Sequence, residues 1–243
     1  MPARFFIPQK QLKNNQAQIT GKDQHHLIDV LRHKIGDEIE IIDGQSNIYA
    51  AKIEKITAQA VTCLITAKKS RKTELPIPVT IFQCLPKAKK MDWIIEKCTE
   101  LGVFKIVPVI SERSIPKLDS AGQKHKLFRW EQIAKSAAEQ CGRAILPKLG
   151  PVQNFAEAVK VAADLKIIPW ESEKTFSLKA ALQNKGKVLS LAVYIGPEGG
   201  FSLSEIETAK KETILPVTLG PRVLRTETVG IFVLSALAYE YEL

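Results

Sequence analysis

Between Arg4 and Ala67 the hydrophobic positions come in short runs, "RFFI", "EIEIID", "IYAAKIEKI" and "AVTCLIT", where β-branched residues alternate with polar ones or cluster. A period of two built from strong β-formers predicts strands. Asp43-Gly44 marks a turn between two of them, and His25 to His33 reads as one short helix. These elements predict a small β-barrel or sandwich. After them, "KKSRKTELPIP" (Lys68 to Pro78) joins a charge run to two prolines. That is the composition of an exposed connector, and it places a domain boundary near residue 73.

Beyond the connector the rhythm changes. Strand-like "VTIFQCL", "VFKIVPVI", "LKIIPW", "VLSLAVYIG" and "ILPVTLG" alternate with helical stretches. The helices are "KKMDWIIEKCTELG", Lys124 to Gly142, "SLKAALQNKG", "SLSEIETAKKE" and a terminal helix. Strands separated by helices predict an α/β domain whose mostly parallel sheet is covered on both faces. Ser202 and Glu205 have capping-box spacing, which fixes one helix start. "TET", Thr226 to Thr228, offers a cap and an early acid for the last helix.

Two strand-to-helix loops therefore share a design. "IGPEGGF" (Ile195 to Phe201) and "LGPRVLRTET" (Leu219 to Thr228) each place Gly-Pro after an apolar run, followed by charged residues. Ligands of open parallel sheets bind beyond the carboxyl ends of the strands. Gly196, Gly199, Gly200 and Gly220 would let one approach the backbone there. One such loop reads as a tight turn; two together point to a shared pocket. The chain has no GxxxxGK[ST], and its glycine loops lie late in the domain, so a P-loop or a Rossmann dinucleotide site fits poorly.

Composition narrows the partner. Of 243 residues, 45% are hydrophobic and 25% charged, as in globular proteins, and the formal net charge is +9. The basic excess is denser before residue 73, with 12 Lys and Arg against 7 Asp and Glu, and it points to a polyanion. Cys63, Cys84, Cys98 and Cys141 are widely spaced in apolar or helical contexts. They predict buried thiols in a reducing compartment, with neither disulfides nor a metal site. No signal-like or membrane-spanning run is evident, so a cytoplasmic location is expected. Trp93 and Trp130 are expected in the core.

"IGPEGGFSLSEI" and "LGPRVLRTET" closely resemble the two C-terminal signatures of the RsmE family, the uridine-N3 methyltransferases of small-subunit (16S) ribosomal RNA in the SPOUT class. The likeness extends through "EKCTELGV", "SERSIPK", "RWEQIAKSAAEQCGR", "RFFI" and "VLRHKIGD". It implies a PUA-like RNA-binding β-barrel over residues 1–72. It also implies a SPOUT methyltransferase domain over 73–243, whose trefoil knot binds S-adenosylmethionine. A homodimer acting on assembled small subunits, without a metal, is implied as well. Gly196, Glu198, Gly199, Gly200, Leu219, Gly220 and Leu224 would line the cofactor site, with Pro169 to Glu171 as a third loop. The family often has alanines after "RTET", where this chain has Val229 and Gly230, and a glycine at a helix start costs about 1 kcal/mol against alanine.

The implied reaction assigns roles. Alkylating uridine N3 requires loss of a proton and stabilisation of charge on the imide oxygens. Arg225 and Arg222, flanking Leu224, are candidates for the second task. Glu198 or Glu227 is a candidate base if burial raises its pKa. RNA phosphates would meet Arg4, Lys68, Lys69, Arg71, Lys72, Lys87, Lys89 and Lys90, with Arg113, Lys117 and Arg143 extending the path. Each of these alone reads as a solvated surface charge; as a set they suggest an RNA path between the domains. Two other readings stand beside the first: a SPOUT enzyme methylating transfer RNA ribose, and a non-catalytic ribosome-assembly protein that binds RNA.

Overall fold

In the computed structural model, residues 2–115, 119–184 and 188–242 are described. They divide into two units, Met1–Glu74 with Lys135–Leu146, and Leu75–Ala134 with Pro147–Leu243. In the first, the alternating segments become β1 (Arg4–Phe6), β2 (Leu12–Lys13), β3 (Gln16–Thr20), β4 (Glu38–Ile42), β5 (Ile48–Ile56) and β6 (Ala60–Lys69). They form a curled half-barrel in the order β1-β4-β5-β6-β3-β2, with β1 parallel to β4 and the other pairs antiparallel. The period of two turns Ile39 and Ile41 inward, where they pack with Phe5, Ile19, Ile53 and Val61. The expected helix over His25 to His33 is instead one α-turn, α1 (Lys22–His25), running into a π-turn at His26–Val30 and anchored by buried Leu27.

Between Ile39 and Ile41, Glu40 is 1% exposed and meets three cations. Arg4 Nε lies 2.9 Å from its Oε2; Lys69 Nζ at 2.8 Å and Arg71 Nη2 at 2.9 Å both reach Oε1. Burial alone would raise the carboxyl pKa, but these partners outweigh it and hold it at about 2. The return segment of the same unit adds a second buried pair: Arg143, 3% exposed, binds Glu74 through Nη2 and, at 3.2 Å, through Nε.

The second unit contains β7 (Val79–Cys84), β8 (Lys105–Ile110), β9 (Lys148–Leu149), β10 (Gln153–Asn154), β11 (Leu165–Pro169), β12 (Leu191–Ile195) and β13 (Leu215–Val217). All pair in parallel in the order β10-β8-β7-β12-β11-β13, with β9 also on β8. Every residue of central β12 is buried, as a strand covered on both faces requires. One face carries α2 (Lys90–Glu100), α3 (Ser120–Cys141) through Trp130 and Ala134, α5 (Leu178–Asn184) and α7 (Thr226–Tyr241). On the other lie α4 (Phe155–Ala158) and α6 (Leu203–Lys211), over Phe82 stacked on Tyr194 at 4.7 Å. The capping box forms at α6.

Three expectations change. Trp130 is buried, but Trp93 is 43% exposed on the outer side of α2. Cys63, Cys84 and Cys98 are buried, with thiols pushed up to about 12, whereas Cys141 is exposed. The last helix is capped differently: Arg225 is its N-cap, without a side-chain capping bond. Thr226 is used elsewhere. The Gly230 departure has a packing reason, since a Cβ there would stand 3.0 Å from Cys98 Sγ on α2 and 3.4 Å from Ile81 Cδ1. The glycine lets α7 close onto α2 and the sheet.

Two stability measurements follow. The depressed Glu40 pKa means that its contribution is complete above pH ~4.5 and drains away as pH falls toward 2, by about 3 kcal/mol in all. Urea unfolding between pH 7 and 3 should show this loss in the wild type and a flatter profile in Glu40→Gln. Gly230→Ala should lower stability by about 1 kcal/mol through overpacking, in spite of alanine's helix propensity, and the sign should reverse in a Cys98→Ala background.

Candidate active site at the strand ends

Three loops at the carboxyl ends of β11, β12 and β13 enclose one cavity of about 480 Å³. Pro169 and Glu171 come from the first loop, Gly196 to Phe201 from the second and Val223 to Thr226 from the third, with Lys90 of α2 alongside. A recess of about 90 Å³ adjoins it, lined by Trp170, Lys174, Leu219, Gly220 and Arg222, and shares Pro169, Glu171, Val223, Leu224 and Val229 with the cavity. The two glycine loops and the Pro169 to Glu171 loop thus meet, and all seven cofactor candidates line one or other space. The two arginines separate: Arg225 faces the cavity, Arg222 the recess.

The glycine loop is a turn in which Gly200 N–H donates to Pro197 O at 2.9 Å. Gly200 has φ +67°, and a Cβ on it would come within 3.0 Å of Glu171 Oε1, so a side chain there would be strained and would crowd the Glu171 carboxylate. Arg113 Nη1 donates to Gly199 O at 2.7 Å and holds the loop from outside. The third loop is tied to it by Thr226 Oγ1, which donates to Gly196 O at 2.6 Å and accepts from buried Gln83 Nε2 at 2.9 Å.

Lys90 opens α2, where the helix dipole disfavours a cation. Two carboxylates offset this: Glu198 Oε1 at 2.9 Å and Glu227 Oε2 at 3.2 Å. Glu198 also accepts from Lys87 N–H. Desolvation would raise its pKa, but Lys90 and the backbone N–H groups prevail and lower it. The condition set for Glu198 as a base, a raised pKa, is therefore not met. By contrast the guanidinium of Arg225 at the cavity has no hydrogen-bonding or ionic partner among the described residues, and the same holds for Arg222 and the Glu171 carboxylate.

The cations expected along an RNA path are mostly engaged. Arg4, Lys69 and Arg71 surround Glu40, Lys90 joins two acids and Arg113 holds a carbonyl. Arg143 is a correction: its buried pairing with Glu74 removes it from any surface. Lys68, Lys72, Lys87 and Lys89 have exposed side chains, and Lys117 lies outside the described residues. Sequence reasoning missed Gln83; its signal was a single amide in the apolar strand "VTIFQC".

Known proteins resemble the chain throughout. Residues 73–238 match the family described as "RNA methyltransferase domain", and residues 19–66 the "RNA methyltransferase PUA domain". A Bacillus subtilis protein named ribosomal RNA small subunit methyltransferase E is 34% identical over 99% of this chain and 97% of its own. A namesake from Synechocystis is 31% identical over 97% of this chain and 77% of its own. Among solved structures, a Legionella pneumophila methyltransferase with bound SAM has a TM-score of 0.90 at 30% identity, covering 99% and 98% of the two chains. The Neisseria gonorrhoeae ribosomal RNA small subunit methyltransferase E bound to S-adenosyl methionine gives 0.89 at 27%, with the same coverage.

The Lys90 pairing makes a sign prediction. In Lys90→Met the burial of Glu198 loses its main opponent, so the Glu198 pKa should rise, as read by carboxyl-carbon NMR titration of wild type and variant.

Proposed function

The chain belongs to the ribosomal RNA small subunit methyltransferase E family, and we propose that it methylates N3 of one uridine in 16S ribosomal RNA, using S-adenosylmethionine. Residues 1–72 serve as the RNA-binding PUA-like module and residues 73–243 as the methyltransferase domain, working in the cytoplasm on the small ribosomal subunit. The observation that carries this reading is the meeting of three strand-end loops around a cavity faced by an arginine that is unpaired among the described residues.

The lining suits the cofactor. Gly196, Gly199 and Gly200 bare the backbone to a close ligand, while Pro169, Leu219 and Leu224 offer apolar walls for a flat ring. The Glu171 carboxylate, without a partner among the described residues, can face a cationic or hydroxylated ligand. S-adenosylmethionine supplies an activated methyl group. The chain's own task is then to hold uridine N3 in line with that methyl and to exclude water.

Arg225 is the residue where binding becomes chemistry. At the start of α7 and without a partner among the described residues, it can donate to the imide oxygens as N3 loses its proton, stabilising charge where it develops. Arg222, in the recess, is placed to serve the cofactor side. Glu198, ionised and held by Lys90, fixes the glycine loop rather than taking the proton.

A homodimer accords with α7, whose inner face buries Val229, Val233, Leu234 and Leu237 while Phe232 and Tyr239 remain exposed. A polar outer face would be usual for a monomer's helix.

The test uses small subunits from a strain lacking the enzyme and labelled cofactor. Wild type should methylate one uridine at N3, read by mass mapping. Arg225→Ala should lose transfer by about 100-fold or more while calorimetric affinity for S-adenosylmethionine stays within a few-fold. Normal turnover by Arg225→Ala would overturn its role, and modification of ribose or of transfer RNA would overturn the substrate.

A further inference from the structure

We propose that Gln83 is a positioning residue of the methyl-transfer site, acting through Thr226 on the Gly196 loop; this rests on reading the cavity as the cofactor site. Gln83 lies near the carboxyl end of β7 and is 0% exposed. Its Nε2 donates to Thr226 Oγ1 at 2.9 Å and to Cys84 O at 3.0 Å. Because the Thr226 hydroxyl spends its proton on Gly196 O at 2.6 Å, it must accept from Gln83, which fixes the orientation of the amide. The result is a chain of two hydrogen bonds, each polarising the other. It links a strand interior, a glycine loop and the first residue of α7.

The amide is kept at a cost. Gln83 Oε1 is buried without a hydrogen-bond partner among the described residues. Buried acceptors without partners are rare and unfavourable, and a leucine of similar size would avoid the penalty. Local rules are broken in this way where a group is needed for position rather than for stability.

What it positions is evident from the lining. Gly196 and Thr226 both border the cavity, and Thr226 directly follows Arg225. Without the Gln83 donor, the Thr226 hydroxyl is free to rotate away from Gly196 O. The glycine loop and the start of α7 then lose their common reference, and small displacements of aligned groups are costly to transfer.

The experiment compares wild type, Gln83→Leu, Thr226→Val, Thr226→Ser and the double variant Gln83→Leu/Thr226→Val. Each is measured for S-adenosylmethionine affinity by calorimetry, for transfer to small subunits at saturating cofactor, and for melting temperature. Gln83→Leu should weaken cofactor binding by about fivefold to tenfold and slow transfer, yet melt at the wild-type temperature or above. Thr226→Val should show the same functional loss, Thr226→Ser should recover affinity to within about twofold, and the double variant should lose no more than the worse single one.

Wild-type affinity and turnover in both Gln83→Leu and Thr226→Val would overturn the proposal. So would losses that merely follow a lowered melting temperature and are not recovered by Thr226→Ser. Should Gln83→Leu fail to fold, the Thr226→Val and Thr226→Ser pair decides by the same criterion. A wild type that binds no S-adenosylmethionine would instead sink the reading of the cavity itself.

Discussion

The bond from the Thr226 hydroxyl to the Gly196 carbonyl, 2.6 Å long, is the constraint on which the site depends. β13 lies at the far edge of the sheet beside β11, while α7 packs against α2 and β12 nearer the centre. The chain between them must come back past the end of β12. There Gly196 O lies beyond the last paired residues of the ladder, Ile195 and Gln83, and buried backbone acceptors are rarely left unpaired. Thr226 satisfies one of them and in the same contact fixes where α7 begins. Arg225 is the N-cap of that helix, so the placement of its guanidinium follows from it.

Charge is distributed with the same economy. A net +9 invites the picture of a uniformly basic surface, but within each unit acids draw cations inward. Glu40 holds Arg4, Lys69 and Arg71; Glu74 holds Arg143; Glu198 and Glu227 hold Lys90. A carboxylate among three cations is stabilised as an anion, and the cations are oriented by it, which makes the cluster part of the half-barrel's structure. At the cavity the contrast is informative. Lys90 is spent in holding two acids and two loops in place, whereas Arg225 has no acid beside it among the described residues and keeps its field for charge that arises only during reaction.

This division explains what could be read along the chain. Strand and helix periods gave the parallel sheet, the half-barrel strands and the capped start of α6, because those signals are local. The glycine loops were legible as a pocket because Gly-Pro after a strand has a local conformational meaning, and the C-terminal signatures carried the chemistry further than periodicity could. The pairings were not legible. Gln83 and Thr226 are 143 residues apart, and nothing near either names the other. Arg143 looks like any helix-end cation until Glu74 is folded onto it, and Trp93 shares the apolar spacing of α2 but faces outward.

Gly230 shows why a local rule can mislead in the opposite direction. Helix propensity marks the residue as a defect, since glycine costs about 1 kcal/mol in a helix interior. The geometry reverses that judgement: Cys98 Sγ, Ile81 and Ile195 occupy the space where a Cβ would go. An added methyl must push α7 away from α2 or from β7 and the end of β12, and α7 begins one residue after Arg225. A gain in helix stability would therefore be drawn from the alignment of the cavity wall, which makes the glycine a condition of the site's geometry as well as of the packing beneath it.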